Sequence, residues 1–213
     1  MILIRTVPFA AVLLLGAGLL VGGCEPEGAE EETTADMPPD SVRTHVEREI
    51  AALNDLRESL AATIDTPSVT KETFNRVCKP IGVRAKEISA ENGWMVRQVA
   101  KKYRNPAHAL NSETRPIYDQ FASSPEKMEA WSTSTRAETE GWLYARRITV
   151  QSSCLACHGS KEDRPEFVKT GYPDDRAYGF EEGDLRGLYT VFVPAGTSRV
   201  TSAVDPGSQG RAP

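Results

Sequence analysis

Cys154-Leu155-Ala156-Cys157-His158-Gly159 is the stretch that the rest of the 213-residue chain is organised around. C-x-x-C-H is the attachment sequence of a c-type haem. Its two thiols form thioether bonds to the haem vinyl groups, and the adjacent histidine reaches the iron. The spacing has a physical reason. Two intervening residues let one turn of chain present both sulfurs to one porphyrin edge, and the next residue then projects over the metal. Four Cys and three His produce this pattern by chance in roughly one such chain in a thousand.

Two other chemistries use similar residues. A zinc ion would take Cys154 and Cys157, with Cys78 and a histidine completing four ligands. Only one C-x-x-C pair exists, and the adjacent Cys157 and His158 close awkwardly on a single ion. A thioredoxin-like redox pair needs its C-x-x-C to open a helix inside a βαβ unit, and the residues around 154 do not read that way. One covalent haem c is the reading that remains.

Charge and leader place the chain outside the cytosol. The net charge is −5, yet residues 25–40 alone hold seven acids and no base. Residues 41–213 are therefore near neutral and carry no nucleic-acid footprint. Met1 to Gly23 has one base, Arg5, and then an apolar run from Phe9 ending in small residues, which is a secretory signal layout. Leu20-Val21-Gly22-Gly23-Cys24 resembles a bacterial lipobox, which implies cleavage before Cys24 and lipidation of that cysteine. The alternative is an uncleaved signal anchor with Cys24 as a bystander. Either way the rest of the chain leaves the cytoplasm, and the expected location is the periplasm, lipid-anchored to a membrane, the outer one being favoured. Residues 24–40 then read as a lipidated cysteine followed by an acidic, proline-containing disordered tether. With Cys24, Cys154 and Cys157 assigned, Cys78 alone remains and no disulfide framework is possible.

Residues 41–194 read as one α+β domain. Val42, Val46, Ile50, Leu53, Leu56, Leu60 and Ile64 recur at helical spacing with charged residues between them, capped by Asp40 or Ser41 and closed by Pro67. This stripe is either packed on its own domain, the preferred reading, or a homodimer seam; His45 lies on its solvated side. A second helix starts after Pro67 with Ser68 or Thr70 as cap, runs to Glu91, and is kinked or broken by Pro80. Residues 94–103 form a third segment, 107–112 a loop, and 115–121 a short helix. Met128–Ser134 and Gly141–Val150 read as strands of a hairpin. Residues 159–183 are a loop too long to be idle. Leu185 to Val193 is the clearest strand, and 195–213 a frayed tail.

Cys78-Lys79-Pro80, Arg104-Asn105-Pro106-Ala107, the haem motif, Tyr172-Pro173-Asp174, Gly179-Phe180 and Gly183-Asp184-Leu185-Arg186-Gly187 occur in a recognisable order. Over about residues 41–194 they resemble a bacterial family of single-haem c-type domains with a PAS-like fold, long described as a domain of unknown function. The resemblance implies N-terminal helices packed on an antiparallel sheet. It also implies that Cys78 occupies the sixth iron position opposite His158, giving a low-potential haem, since a thiolate is a strong donor to ferric iron. On its own residues, Cys78 reads equally as a small buried hydrophobe. Where the family pattern leads one to expect asparagine, His108 stands, as a rival sixth ligand or an exposed loop residue. Met95 and Met128 are weaker candidates. Arg97, Arg104 and Arg186 are candidates for the haem propionates, Arg104 first because of its motif.

The implied function is redox or small-ligand sensing, with a diatomic gas as possible ligand, or electron transfer to a redox or signalling partner protein, rather than catalysis. The alternative is a haem enzyme, with peroxidase or nitrogen-oxide chemistry, at an open distal site near His108.

Overall fold

In the computed structural model, which describes residues 37–64 and 68–196, the apolar stripe is helix α1, Asp40–Ala61. The expected leader, Cys24, the tether up to residue 36, Pro67 and the tail from residue 197 onward lie outside the described residues. The N-cap lies one position before the first of the two expected caps. Pro39 takes the N-cap place, and Asp40 in the first turn accepts from Arg43 at 2.8 Å. Val42, Val46, Ile50 and Leu53 are buried against the domain's own sheet, so the stripe packs within the domain. Each such side chain contributes about 2 kcal/mol by leaving water. His45 is not solvated as expected. It is half-buried, edge-on to the Trp94 ring at 5.1 Å, because the chain folds Trp94 back over α1.

Helix α2, Lys71–Val77, is capped by Thr70, whose hydroxyl accepts from the Thr73 N–H at 3.3 Å. Helix α3, Lys79–Asn92, follows after a break at Cys78, where Pro80 lacks the N–H that a continuous helix needs. Gly93, at φ 68°, ends α3 in a left-handed turn that throws the chain straight into strand β1, Met95–Val99. The third segment thus contains a strand over residues 95–99.

A short 3-10 turn, Pro106–His108, and helix α4, Thr114–Ser123, lead to strands β2, Glu129–Arg136, and β3, Thr139–Thr149. After the haem motif comes helix α6, Glu166–Gly171, inside the stretch expected to be loop, with Val168 buried; α5 is the motif's own turn, Leu155–His158. Strand β4, Leu185–Pro194, completes an antiparallel sheet of order β1-β4-β3-β2. This is the α+β arrangement, helices over an antiparallel sheet, that the sequence implies. Tyr144, Tyr189, Val191 and Val193 face α1 and α3; Val99, Ala145 and Leu188 face Tyr118 and Phe121 of α4.

The β3–β4 pairing slips at its end, where Ile148 faces Gly187 but Thr149 faces Leu185. Arg186 is the extra residue of this bulge, which re-aims its side chain. Next to it, Gly187 lets β1 come close: a Cβ there would lie 2.5 Å from the Val99 carbonyl oxygen and 3.2 Å from the Ala100 Cβ. Gly187→Ala is expected to push β1 from β4 and destabilise the domain by about 1–3 kcal/mol, read as a lowered urea midpoint.

Candidate functional site

Cys78, His108 and the motif Cys154-Cys157-His158, far apart in sequence, all line one cavity of about 330 Å³. One wall is the motif itself. A 3-10 turn over Ser152–Cys154 runs into α5, so both thiols leave the same turn of chain. Cys157 is buried, and burial pushes its thiol up to about 11; Cys154 is half-buried, its Sγ 4.0 Å from the Arg57 guanidinium.

His158 has a defined tautomer. Its Nδ1 lies 2.7 Å from the Ala177 carbonyl oxygen, which can only accept. Nδ1 therefore carries the proton and Nε2 keeps the lone pair that a metal needs. Arg104 Nη2 stands 3.4 Å from the same Nδ1. With that nitrogen already donating, the guanidinium is a charge beside the ring rather than a second hydrogen bond. Burial, then Arg186 and Arg104, hold His158 well below the ordinary histidine range, so the ring is neutral.

Another part of the lining comes from the α2–α3 junction. Cys78 is exposed onto the cavity, yet neighbouring protein raises its thiol pKa, an effect that Arg104 partly offsets. Val77, Ile81 and Phe74 supply apolar lining, and Gly82 leaves a gap in which a Cβ would meet nothing within 4 Å. His108 lines the same cavity; burial, then Arg97 and Arg186, lower its pKa and keep it neutral.

Other candidates fall away. Met95 and Met128 are exposed and do not line the cavity; Met95 Sδ faces Arg136. Arg97 also stays outside, donating to the Ala107 carbonyl at 2.9 Å. Arg186 enters the cavity by way of its bulge, with burial pulling its pKa down to about 10. Arg104 lines the cavity too, but its Nε and Nη2 are committed to Asp175 at 3.2 Å and the Cys157 carbonyl at 3.0 Å. Two of the five N–H donors of Arg104 are thus engaged within the protein.

Sequence reasoning missed Arg57, Lys79 and Asp175. The first two add to Arg104 and Arg186 as cations of the lining, which contains no carboxylate. Asp175 carried one signal: it follows Tyr172-Pro173-Asp174 in a loop too long to be idle. Among the described residues no set of three or more His, Cys, Asp and Glu is placed to hold a metal ion, so the zinc arrangement does not form. The motif follows an antiparallel strand, so the thioredoxin arrangement does not form either.

A family model described as Tll0287-like matches residues 36–194. The crystal structure of the cyanobacterial haem protein Tll0287 is similar at a TM-score of 0.66 with 46% identity, covering 73% of this chain and 96% of that one. No curated protein matches the chain. The match to the family model over most of the chain, together with this identity, makes the chain a member of the Tll0287-like family.

Proposed function

We propose that this chain binds one haem c in the cavity, covalently through Cys154 and Cys157, with His158 as one axial ligand and Cys78 as the other. It acts outside the cytoplasm in redox sensing or electron transfer. The observation that carries this reading is the meeting, at one cavity, of the motif thiols, a histidine with Nε2 free, and a cysteine from the separate α2–α3 junction. The lining suits the group: apolar side chains for a porphyrin face, and Arg57, Lys79, Arg104 and Arg186 with no acid among them for its two propionates. The name of Tll0287 as a haem protein supports it. Bound haem supplies a one-electron couple, and a thiolate opposite histidine lowers its potential. The protein's own contribution is to attach the group, fix the tautomer of His158 and present Cys78. The proposal includes export and membrane anchoring through lipid on Cys24, supported by the leader's composition.

Purified protein should show a c-type α band on reduction; a colourless protein would end the proposal. Carbon monoxide then separates the two roles. A thiolate suits ferric iron better than ferrous, so the reduced protein is expected to exchange Cys78 for the gas, with a shifted Soret band. A spectrum that stays unchanged leaves electron transfer alone. An enzymatic reading has one observation in its favour, the neutral His108 on the cavity wall, where an acid–base group would be needed.

A further inference from the structure

Asp175 carries its charge out of reach of water: the side chain is 0% exposed. It has three partners. Arg104 Nε donates to Oδ1 at 3.2 Å, Arg164 Nη1 donates to Oδ2 at 2.8 Å, and the Ala177 N–H donates to Oδ1 at 3.1 Å. A buried carboxylate is costly unless its geometry and partners are good. Here two of the three partners lead on to the same side chain. Ala177, held by its N–H, offers its carbonyl to His158 Nδ1 at 2.7 Å. Arg104, held by its Nε, puts Nη2 3.4 Å from that nitrogen and 3.0 Å from the Cys157 carbonyl. Arg164 touches neither the histidine nor the motif; its other contacts are the Lys161 carbonyl and the Tyr178 ring.

We infer that Asp175 is the positioning residue of the centre: through Ala177 it fixes the acceptor that sets the His158 tautomer, and through Arg104 it balances the cation beside the ring, and so it tunes the reduction potential. This rests on the reading that His158 ligates a haem iron. The sign follows from charge. Asp175→Asn leaves two guanidinium groups unbalanced and loosens the acceptor; both changes disfavour the ferric form, so the potential rises. Arg104→Gln removes a positive charge and leaves the carboxylate in place, so the potential falls. A purely structural role for the pair would not give opposite signs, because either substitution breaks the same ion pair.

The test is a redox titration of wild type, D175N and R104Q as holoproteins, with covalent haem checked on a denaturing gel and the ferric low-spin electron paramagnetic resonance recorded. The expected result is a shift up for D175N and down for R104Q. Each is at least tenfold in the equilibrium between oxidised and reduced protein, or 59 mV for one electron. Shifts of like sign, or a smaller shift in either variant, overturn the inference. Should D175N fail to accumulate, R164Q replaces it. That variant also removes a cation from Asp175 without touching His158, so the rule of opposite signs applies to D175N alone: R164Q and R104Q must both lower the potential, and a rise or an unmoved potential in R164Q overturns the inference. Wild-type protein without haem would sink the cofactor reading itself, whereas haem-bearing variants with unmoved potentials would sink only the role of Asp175.

Discussion

Replacing both Cys154 and Cys157 by alanine is expected to abolish haem staining on a denaturing gel, from full intensity to none. The two thiols leave one turn of chain at the cavity wall, and nothing else on that wall forms a thioether. The free Cys78 lines the same cavity from a separate helix junction. The double variant keeps His158 with its Nε2 lone pair, so whatever haem it retains is held by coordination and extracts into acidified organic solvent. Its thermal midpoint should fall as well, since a group bound only to the folded state stabilises by mass action once the covalent links are gone. Persisting stain would sink the thioether assignment.

Cys78→Ala should raise the reduction potential by about 0.2 V, a sizeable part of the roughly 0.8 V that axial ligands span. The thiolate is an anionic donor that favours ferric iron, and what replaces it is neutral. Burial raises the Cys78 pKa and works against the thiolate, so the proposed ligation would draw on the charge of the iron to hold the sulfur ionised. The spectrum of the variant then identifies the successor. A ferric low-spin form that becomes high-spin on adding His108→Asn marks His108 as the replacement; high-spin iron already in Cys78→Ala marks water. An unchanged potential and spectrum in Cys78→Ala would assign the sixth position to some other residue.

Much of this was legible because local patterns carry it. The stripe from Val42 to Leu60, the run from Leu185 to Val193 and the Pro80 break need only neighbours a few residues away, and all three appear as read. Helix α6 was not legible, since six residues between Pro165 and Tyr172 are too few to show a period, and Val168 is buried by tertiary packing. Asp175 looks in sequence like Asp174 beside it. Only the fold separates them, burying one against two arginines. Arg57 lies on the polar side of α1, where an arginine ordinarily meets solvent, and becomes part of the site because the chain brings Cys154 to it 97 residues later. The cysteines and histidine of the motif announce their chemistry by spacing; the residues that govern it are supplied by distance.

The break at Cys78 also has a mechanical meaning. Two rods that share a joint move least at that joint, and Cys78 is the joint here, closing α2 and opening α3. The seven residues of α2 form an arm about 10 Å long, so a tilt that carries Lys71 by a given amount displaces the sulfur by only a small fraction of it. At the middle of its arm Phe74 leans on Phe167 and Tyr172, whose ring centroids lie at 5.8 Å and 6.5 Å. The thiol thus stands at the fulcrum, where a tilt of α2 about the junction would displace it least.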